Sequence, residues 1–347
     1  MTTVSVVVPC RNEAAHIGGV LDSILQNGYP QELMEILVID GLSDDGTREI
    51  VDQYTRSHAH VRMLDNPGRY APHAMNLGIR AATGDIIVRM DCHAVYPPDY
   101  ISTLVRYSDC LIADNVGPSL ETVPGDSTRK AMAISRVLSH RFGVGDSAFR
   151  IAAASSKEEF FATDTVPFGC FRKEVFERVG LFDEDLVRNQ DNEFNERILA
   201  GGGRIYLIPN LRVRYFSRRN YRELWLMLFQ YAYYGPMVDR KLNRRAPLRR
   251  YVPAMFVGTV SAALLVTPVW RWAGFVSAAA ISAHCLLNLG SSLAEAARKE
   301  DLRLVPFLFW GFLVAHVAYG VGYWLGLWNE VVRKGRGGLR VAERLSR

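Results

Sequence analysis

From Tyr251 to Trp328 the chain is almost entirely apolar, with one polar break at residues 295–303. Residues 252–270, 272–293 and 305–328 each approach the roughly 20 residues that a helix needs to cross a bilayer. Trp270, Trp272, Trp324 and Trp328 stand near their ends, as aromatic belts do at a membrane surface. A water-soluble globule has no use for three such runs in succession, so this half is expected to meet lipid.

The net charge of +5 is concentrated on the flanks of these runs. Arg240, Lys241, Arg244, Arg245, Arg249 and Arg250 precede the first run. Arg333, Lys334, Arg336, Arg340, Arg344 and Arg347 follow the last. Basic clusters beside apolar spans face the cytoplasm and anionic headgroups, which accounts for the charge without a nucleic-acid partner. Three full crossings would carry the basic tail outside, and Arg298, Lys299 and Arg303 also belong inside. Both demands are met if one segment is re-entrant or interfacial, so the number of crossings stays open. Residues 224–238 read as an amphipathic helix on the membrane surface.

The first part follows another pattern. Val4-Ser5-Val6-Val7-Val8-Pro9 is a β-branched run of the kind a buried parallel strand uses. Residues 13–26 then place Ile17, Val20, Leu21, Ile24 and Leu25 at helical spacing. Further strands are expected at 34–40, 61–64 and 85–91, with helices at 48–58 and 72–82. Strands alternating with helices specify a parallel sheet with right-handed crossovers. Beyond these, 166–171 and 204–208 carry strand signals, 173–179 and 191–200 helix signals, and 119–127 reads as a loop. The expected division is a sheet domain at 1–220, a basic junction at 221–250, apolar helices at 251–330 and a basic tail at 331–347.

Cys10, Cys92, Cys110, Cys170 and Cys285 are scattered, without the paired spacing of a zinc site, and suit a reducing compartment. The chain starts on a strand, so no cleavable signal peptide is expected.

Three strand ends carry polar groups on the edge where open α/β sheets bind ligands. They are Pro9 with Asn12 and Glu13, then Asp40, then Asp91 with His93 two residues on. No GxGxxG and no phosphate-binding loop follows the first strand, which argues against a nicotinamide cofactor. A carboxylate and an imidazole two residues apart lie on one side of an extended chain, where they can hold a divalent cation. Asp40 and Asp45 also have an ordinary reading as turn and cap residues.

Taken in order, these segments resemble the GT-A domain of the family two glycosyltransferases. The resemblance rests on Val7-Val8-Pro9-x-x-Asn12-Glu13, on Asp40-Gly41-Leu42-Ser43-Asp44-Asp45-Gly46-Thr47, on Asn76-x-Gly78 and on Asp91-x-His93. It covers about the first 220 residues. It implies an α/β fold of GT-A type, Rossmann-like with a mostly parallel sheet, followed here by transmembrane or interfacial helices. It also implies a nucleotide-diphospho-sugar donor held by Pro9, Asn12, Glu13, Asp40, Asp45, Asn76 and Asp91. Pro9, Glu13 and Asp40 would lie near the uridine and ribose, and Asp91 near the diphosphate and its Mg²⁺ or Mn²⁺. The family writes a second Asp where Gly41 stands, and an Asp where His93 stands. Imidazole suits Mn²⁺ better than Mg²⁺; His93 either ligates the metal or hydrogen-bonds the diphosphate or a metal-bound water.

Phe168-Gly169-Cys170-Phe171 resembles the family's acceptor-side strand, which implies that Phe168 and Gly169 line the acceptor pocket. Gln190-Asp191-Asn192-Glu193 resembles its acidic segment, with Gln190 in place of a Glu and Asp191 as the catalytic base. A carboxylate at a helix N-terminus is held ionised by the dipole, which suits a group that takes a proton from a hydroxyl. Processive members carry Gln-x-x-Arg-Trp further on; Gln230 stands in a related place as an acceptor-side candidate, but Arg-Trp is absent.

The whole is most similar to bacterial exopolysaccharide transferases of the succinoglycan type. That implies an inverting enzyme on the cytoplasmic face of the inner membrane, moving a sugar (glucose in those enzymes) from a UDP-sugar to a polyprenyl-diphosphate-linked oligosaccharide. A non-catalytic UDP-sugar-binding membrane scaffold and a sugar nucleotidyltransferase are the alternatives, the latter lacking its glycine-rich basic loop. Oligomeric state is not legible.

Overall fold

The β-branched runs of the N-terminal part form the centre of one sheet. The computed structural model of the protein describes residues 1–243 and 248–332. Its first stretch alternates as expected: β1 (Val4–Cys10), α1 (Ile17–Leu25), β2 (Met34–Asp40), α2 (Thr47–Ser57), β3 (Val61–Asp65), α3 (Ala71–Ala81) and β4 (Ile86–Arg89). There follow β5 (Ala94–Val95), α4 (Tyr100–Leu111), β6 (Asn115–Val123), α5 (Arg129–Val137), α6 (Arg141–Val144) and α7 (Ala148–Ser155). Then come β7 (Phe161–Ala162), β8 (Cys170–Arg172), α8 (Lys173–Val179), α9 (Gln190–Ala200) and β9 (Ile205–Phe216). Four long helices close the described chain: α10 (Tyr221–Lys241), α11 (Leu248–Val266), α12 (Trp272–Arg298) and α13 (Val305–Val331).

The chain divides into two compact units. A sheet unit joins Met1–Glu121 to Ala148–Tyr215, and a helical unit joins Thr122–Ser147 to the chain from Phe216. The segment 122–147 therefore leaves the sheet unit and returns to it, where the sequence pattern had suggested one continuous stretch to 220.

In the sheet unit the strand order is β3-β2-β1-β4-β8-β6-β9-β5, with β7 also on β9. β1 pairs in parallel with β2 on one side and β4 on the other. β8 runs antiparallel to both β4 and β6, so the sheet is mixed. Alternation along β1 sends Val4, Val6 and Val8 into one core with Ile17, Leu21 and Ile24 of α1. Val7 enters the other core with Met75 and Ile79 of α3. The sheet is thus covered on both faces, which is why its parallel strands are continuously apolar. α3 lies close to β1 because residue 78 is glycine; a Cβ there would stand 2.5 Å from Val7 Cγ1.

Two segments depart from expectation. Residues 119–123, read as the start of a loop, belong to β6. Ser119 is buried there and its hydroxyl donates to the Pro209 carbonyl at 2.8 Å, which satisfies the polar group inside the sheet. β9 continues past 208 to Phe216, with Leu211, Val213 and Tyr215 buried and the residues between them exposed.

In the helical unit, α10 packs along α13 and buries Leu224, Met227, Phe229, Tyr233 and Val238. The apolar face expected to lie on a membrane surface is therefore taken up by another helix. Gly322 and Gly326, one turn apart on α13, admit the Phe229 and Tyr233 carbonyls of α10, and a Cβ at either glycine would strike them. α12 and α13 are long and apolar enough to cross a membrane. The first of the three expected spans is shorter, because α11 ends at Val266 in a turn before Trp270. α5 is tied to the same unit by Arg136 facing Glu295 at 3.9 Å and Arg129 facing Asp301 at 3.7 Å. Arg244, Arg245 and the basic tail 333–347 lie outside the described residues, as does the side chain of Arg249.

Candidate active site

β2 and β4 flank β1, so the chain leaves the sheet in opposite directions after β1 and after β4. Such a switch point opens a crevice at the strands' C-terminal ends. Cys10 pairs with Asp40, and Asp91 follows β4 by two residues, so the expected strand-end groups share one edge.

The loops after β1 and β2 are latched to one another. Asn12, at φ 53°, donates its backbone N–H to Ser43 Oγ at 2.7 Å, while its side-chain oxygen accepts from the Asp44 N–H at 3.0 Å. The Glu13 N–H donates to Thr47 Oγ1 at 2.8 Å, and the Ala14 N–H to Asp45 at 3.1 Å. Asp45 also accepts from the Thr47 N–H and hydroxyl. What desolvation Asp45 suffers would raise its pKa, but these hydrogen bonds outweigh it and hold the carboxyl below its ordinary value.

Asp40 is fully buried and accepts from the Ser43 N–H and hydroxyl and from Arg48 Nη1 at 2.7 Å. Asp40 and Asp45 thus spend these bonds on holding the loops in place. Asn76 does the same for a different loop. Its amide oxygen accepts from the Phe182 N–H, and its amide nitrogen donates to the Phe182 carbonyl and to Glu184. That engagement pins residues 182–184 to α3 and leaves Asn76 2% exposed. Arg11, which the sequence reading passed over, lies against Gly41 and has a buried Nε without a partner.

The centre of the site is Arg89. Its Nε donates to Asp91 Oδ1 at 2.6 Å, its Nη2 to Asp91 Oδ2 at 2.8 Å and its Nη1 to Asp191 Oδ1 at 2.7 Å. One guanidinium therefore joins the residues expected at the diphosphate and at the acceptor hydroxyl, which are far apart in sequence. Burial works against the charged guanidinium, but Asp191 and Asp91 more than offset it and hold Arg89 protonated well above its ordinary range.

The two carboxylates respond differently. Burial would raise Asp91, yet the bidentate Arg89 pairing outweighs it and the group is lowered. Asp191 is raised, by its depth among protein atoms and by the nearby Asp91 charge, against a single bond from Arg89. Its side chain nonetheless keeps 39% of its surface open, so the crevice can reach it. Arg188 adds a second positive charge that favours the ionised form of both.

Supporting residues fix these groups. Asn189 takes a left-handed conformation at φ 66° and starts α9, which sets Gln190 and Asp191 in its first turn. Gln190 is buried beside it. The Asp91 N–H donates to the Tyr96 hydroxyl at 2.7 Å. Tyr96 in turn packs on Tyr100 and on Phe168. Phe168, expected to line an acceptor pocket, is thus buried in the core against Tyr96. The Gly169 carbonyl accepts from the Arg89 N–H at 3.1 Å, and a Cβ on Gly169 would meet the Asn115 side chain and the Phe171 ring. Gln230 is fully buried in α10 of the helical unit. His93 meets the Tyr215 ring edge-on at 5.6 Å.

The metal expectation fares less well. Both Asp91 oxygens are committed to Arg89, and among the described residues no three His, Cys, Asp or Glu side chains gather to hold an ion. Asp91 and His93 as they stand do not fit a protein-held metal.

The sequence profile of Glycosyl transferase family 2 matches residues 5–180, half of the chain. The chain belongs to this family. As a glycosyltransferase it is similar to the succinoglycan biosynthesis protein ExoA of Rhizobium meliloti (strain 1021), at 29% identity over 93% of this chain and 94% of that one. It is also similar to a Methanococcus voltae dolichyl N-acetyl-alpha-D-glucosaminyl phosphate 3-beta-D-2,3-diacetamido-2,3-dideoxy-beta-D-glucuronosyltransferase, at 28% identity over 70% of this chain and 75% of that one. Among solved structures, the mannosyltransferase PcManGT from Pyrobaculum calidifontis, in complex with GDP-Man and Mn²⁺, superposes with a TM-score of 0.61. The match covers 95% of this chain and 88% of that one at 22% identity. That likeness establishes the shared GT-A fold. Besides Arg11, the residue that the sequence did not single out is Arg89, and its signal was a charge inside an apolar strand, which must be paired where it is buried.

Proposed function

We propose that this glycosyltransferase moves a sugar, glucose in the first instance, from a UDP-sugar to a polyprenyl-diphosphate-linked oligosaccharide, with inversion, in exopolysaccharide biosynthesis. The setting would be the cytoplasmic face of a bacterial inner membrane. The observation that carries this reading is that Asp91 and Asp191 share the Arg89 guanidinium, which puts a diphosphate-side group and a candidate base within one side chain's span. The likeness to the succinoglycan protein supports exopolysaccharide biosynthesis, and the likeness to a dolichyl-phosphate-sugar transferase supports a lipid-linked acceptor.

In this reading Asp191 accepts the proton of the acceptor hydroxyl through Oδ2, the oxygen Arg89 does not hold. The hydroxyl oxygen attacks the anomeric carbon as the bond to the diphosphate oxygen breaks, and the nucleoside diphosphate leaves with the electron pair. A carboxylate whose pKa is raised is a better base than an ordinary one. Arg188 provides positive charge where the leaving group gains negative charge, the kind of preorganised electrostatics that dominates many enzymes. Arg11, with its unpartnered Nε, is offered to the nucleotide at the mouth of the β1 and β2 loops. α12 and α13 would hold the enzyme where polyprenyl-linked acceptors reside. The test is a panel of nucleotide-sugars given to the purified protein in lipid with a polyprenyl-diphosphate oligosaccharide, read by mass spectrometry of the lipid product. Addition of one hexose from a UDP-sugar is expected; no addition from any UDP-sugar would sink the reading.

A further inference from the structure

Residues 122–147 belong to the helical unit, and they bring charge to one end of α12. α5 supplies Arg129, Lys130 and Arg136 and no acid, while residues 295–303 carry three cations and three acids. Arg129 is matched by Asp301 at 3.7 Å, Lys130 lies over the Tyr221 ring, and the exposed Arg303 and Glu300 cancel in the count. Arg136, Arg298 and Lys299 are left around one carboxylate, that of Glu295. Glu295 is 4% exposed and both its oxygens accept from Arg298, at 2.8 and 2.9 Å. Arg136 faces the same carboxylate at 3.9 Å, beyond hydrogen-bond reach. Arg136 first, then burial, then Arg298 push the Lys299 ammonium below its ordinary pKa, against the pull of Glu295. Three cations that repel one another over a carboxylate with no oxygen left make a place that an anion relieves.

Residues 299–304 join the two helices that are long and apolar enough to cross a membrane, so in a bilayer this turn falls in the headgroup layer. Leu287, Ala294 and Arg298 stand at i, i+7 and i+11, on one stripe of α12, and all three are exposed. A lipid chain lying along that stripe brings its head to Arg298. We propose that Arg136, Arg298 and Lys299 bind the diphosphate of a polyprenyl-linked substrate. The proposal rests on the lipid-linked acceptor read above, and it names the groups that hold that acceptor's head. A diphosphate diester carries two negative charges, which match the excess that three cations leave around one carboxylate. The single charge of a phospholipid phosphodiester would neutralise half of it. Guanidinium forks fit phosphate oxygens two at a time, and the ammonium of Lys299 adds a point charge. Glu295 grips Arg298 through Nε and Nη2, so that fork is set before a ligand arrives.

The test uses the full-length protein in a neutral detergent and a polyprenyl-diphosphate-linked monosaccharide as probe, with binding read by isothermal titration. The variant is the double substitution Arg136→Gln with Lys299→Gln; Arg298 stays in place because it pairs the buried Glu295. The double variant is expected to bind the probe about 10-fold or more weakly, the effect of removing two cations at a membrane surface, with the thermal unfolding midpoint and UDP binding at wild-type values. The single variants should fall between the two. Phosphatidylglycerol in about 10-fold excess should leave the probe bound to the wild type. Equal affinity of wild type and double variant overturns the proposal. Displacement of the probe by phosphatidylglycerol also overturns it, since the cluster then serves general attachment to anionic lipid. Binding needs no transfer, so the proposal and the reading it rests on fail separately. Cluster-dependent binding without transfer from any UDP-sugar supports the site and sinks the transfer reading, and transfer with an acceptor KM unmoved by the double substitution sinks the site alone.

Discussion

Helices α1 and α12 follow opposite rules. α1 turns Ile17, Val20, Leu21 and Ile24 inward and exposes its polar side, as a helix in water does. α12 turns Ser277, His284, Asn288, Ser292 and Glu295 inward. Its exposed surface carries Phe275, Val276, Ile281, Leu286, Leu287 and Leu293. Of its inward polar groups, His284 pairs with His316 at 2.9 Å, Asn288 with the Phe309 carbonyl and Glu295 with Arg298. The sheet unit is therefore built for water, and the outer surface of the helical unit for a solvent that offers no hydrogen bonds. One chain carrying both patterns suits the proposed transfer from a soluble donor to a lipid-linked acceptor.

The contrast can be broken most severely at the site. Asp191→Asn should lower transfer by about 10²–10⁴-fold, the range for losing a general base, while isothermal titration finds UDP binding unchanged. Next come paired lysines. Leu21→Lys puts a charge into the sheet-unit core, where Leu21 is 0% exposed, and soluble expression should be lost. Leu287→Lys, at 64% exposure on α12, should leave donor binding intact and weaken membrane retention in a flotation assay by about 2.5–3.5 kcal/mol, the insertion cost of Lys at a helix centre. If both variants behave alike, the two-solvent account is wrong.

A glycine sharpens the packing side. Gly78→Ala sets a Cβ against Val7 and should cost about 1–3 kcal/mol in urea unfolding, as overpacking does. The smallest effect concerns pH. Burial would raise Glu35, but hydrogen bonds from the Ser5 hydroxyl and from the Thr83 N–H and hydroxyl outweigh it and hold the group below its ordinary value. Its contribution is present above the unfolded pKa and is lost as pH falls through the lowered folded value. Glu35→Gln should cost about 1–2 kcal/mol at neutral pH and flatten the acid limb of a stability–pH curve.

The parallel half of the sheet was legible because strands buried on both faces are apolar throughout, and they end at Cys10, at Asp40 and two residues before Asp91. The antiparallel half was less so. β6 contains Pro118, Ser119 and Glu121, and only the partners that other strands supply make it a strand. β9 carried a period-two pattern through Tyr215 that its charged alternates, Arg212 and Arg214, disguised. α10 looked amphipathic, but whether lipid or α13 covers its apolar face is a tertiary fact. At the candidate site, residue types pointed to the sheet edge where the structure gathers Asp40 and Asp91, while the hydrogen-bond partners of each did not show. Asn76, Asp40 and Asp45 spend their hydrogen bonds on the protein, and Arg89 joins two carboxylates that are distant in sequence.

The most direct test of the central claim is single-turnover transfer from a UDP-sugar to a polyprenyl-diphosphate-linked acceptor by wild type and Asp191→Asn in lipid vesicles, with the anomeric configuration of the product read by NMR. The account predicts one sugar transferred with inverted configuration by the wild type, and loss of that transfer in Asp191→Asn with UDP still bound. Retained configuration, or equal transfer by both proteins, would contradict it.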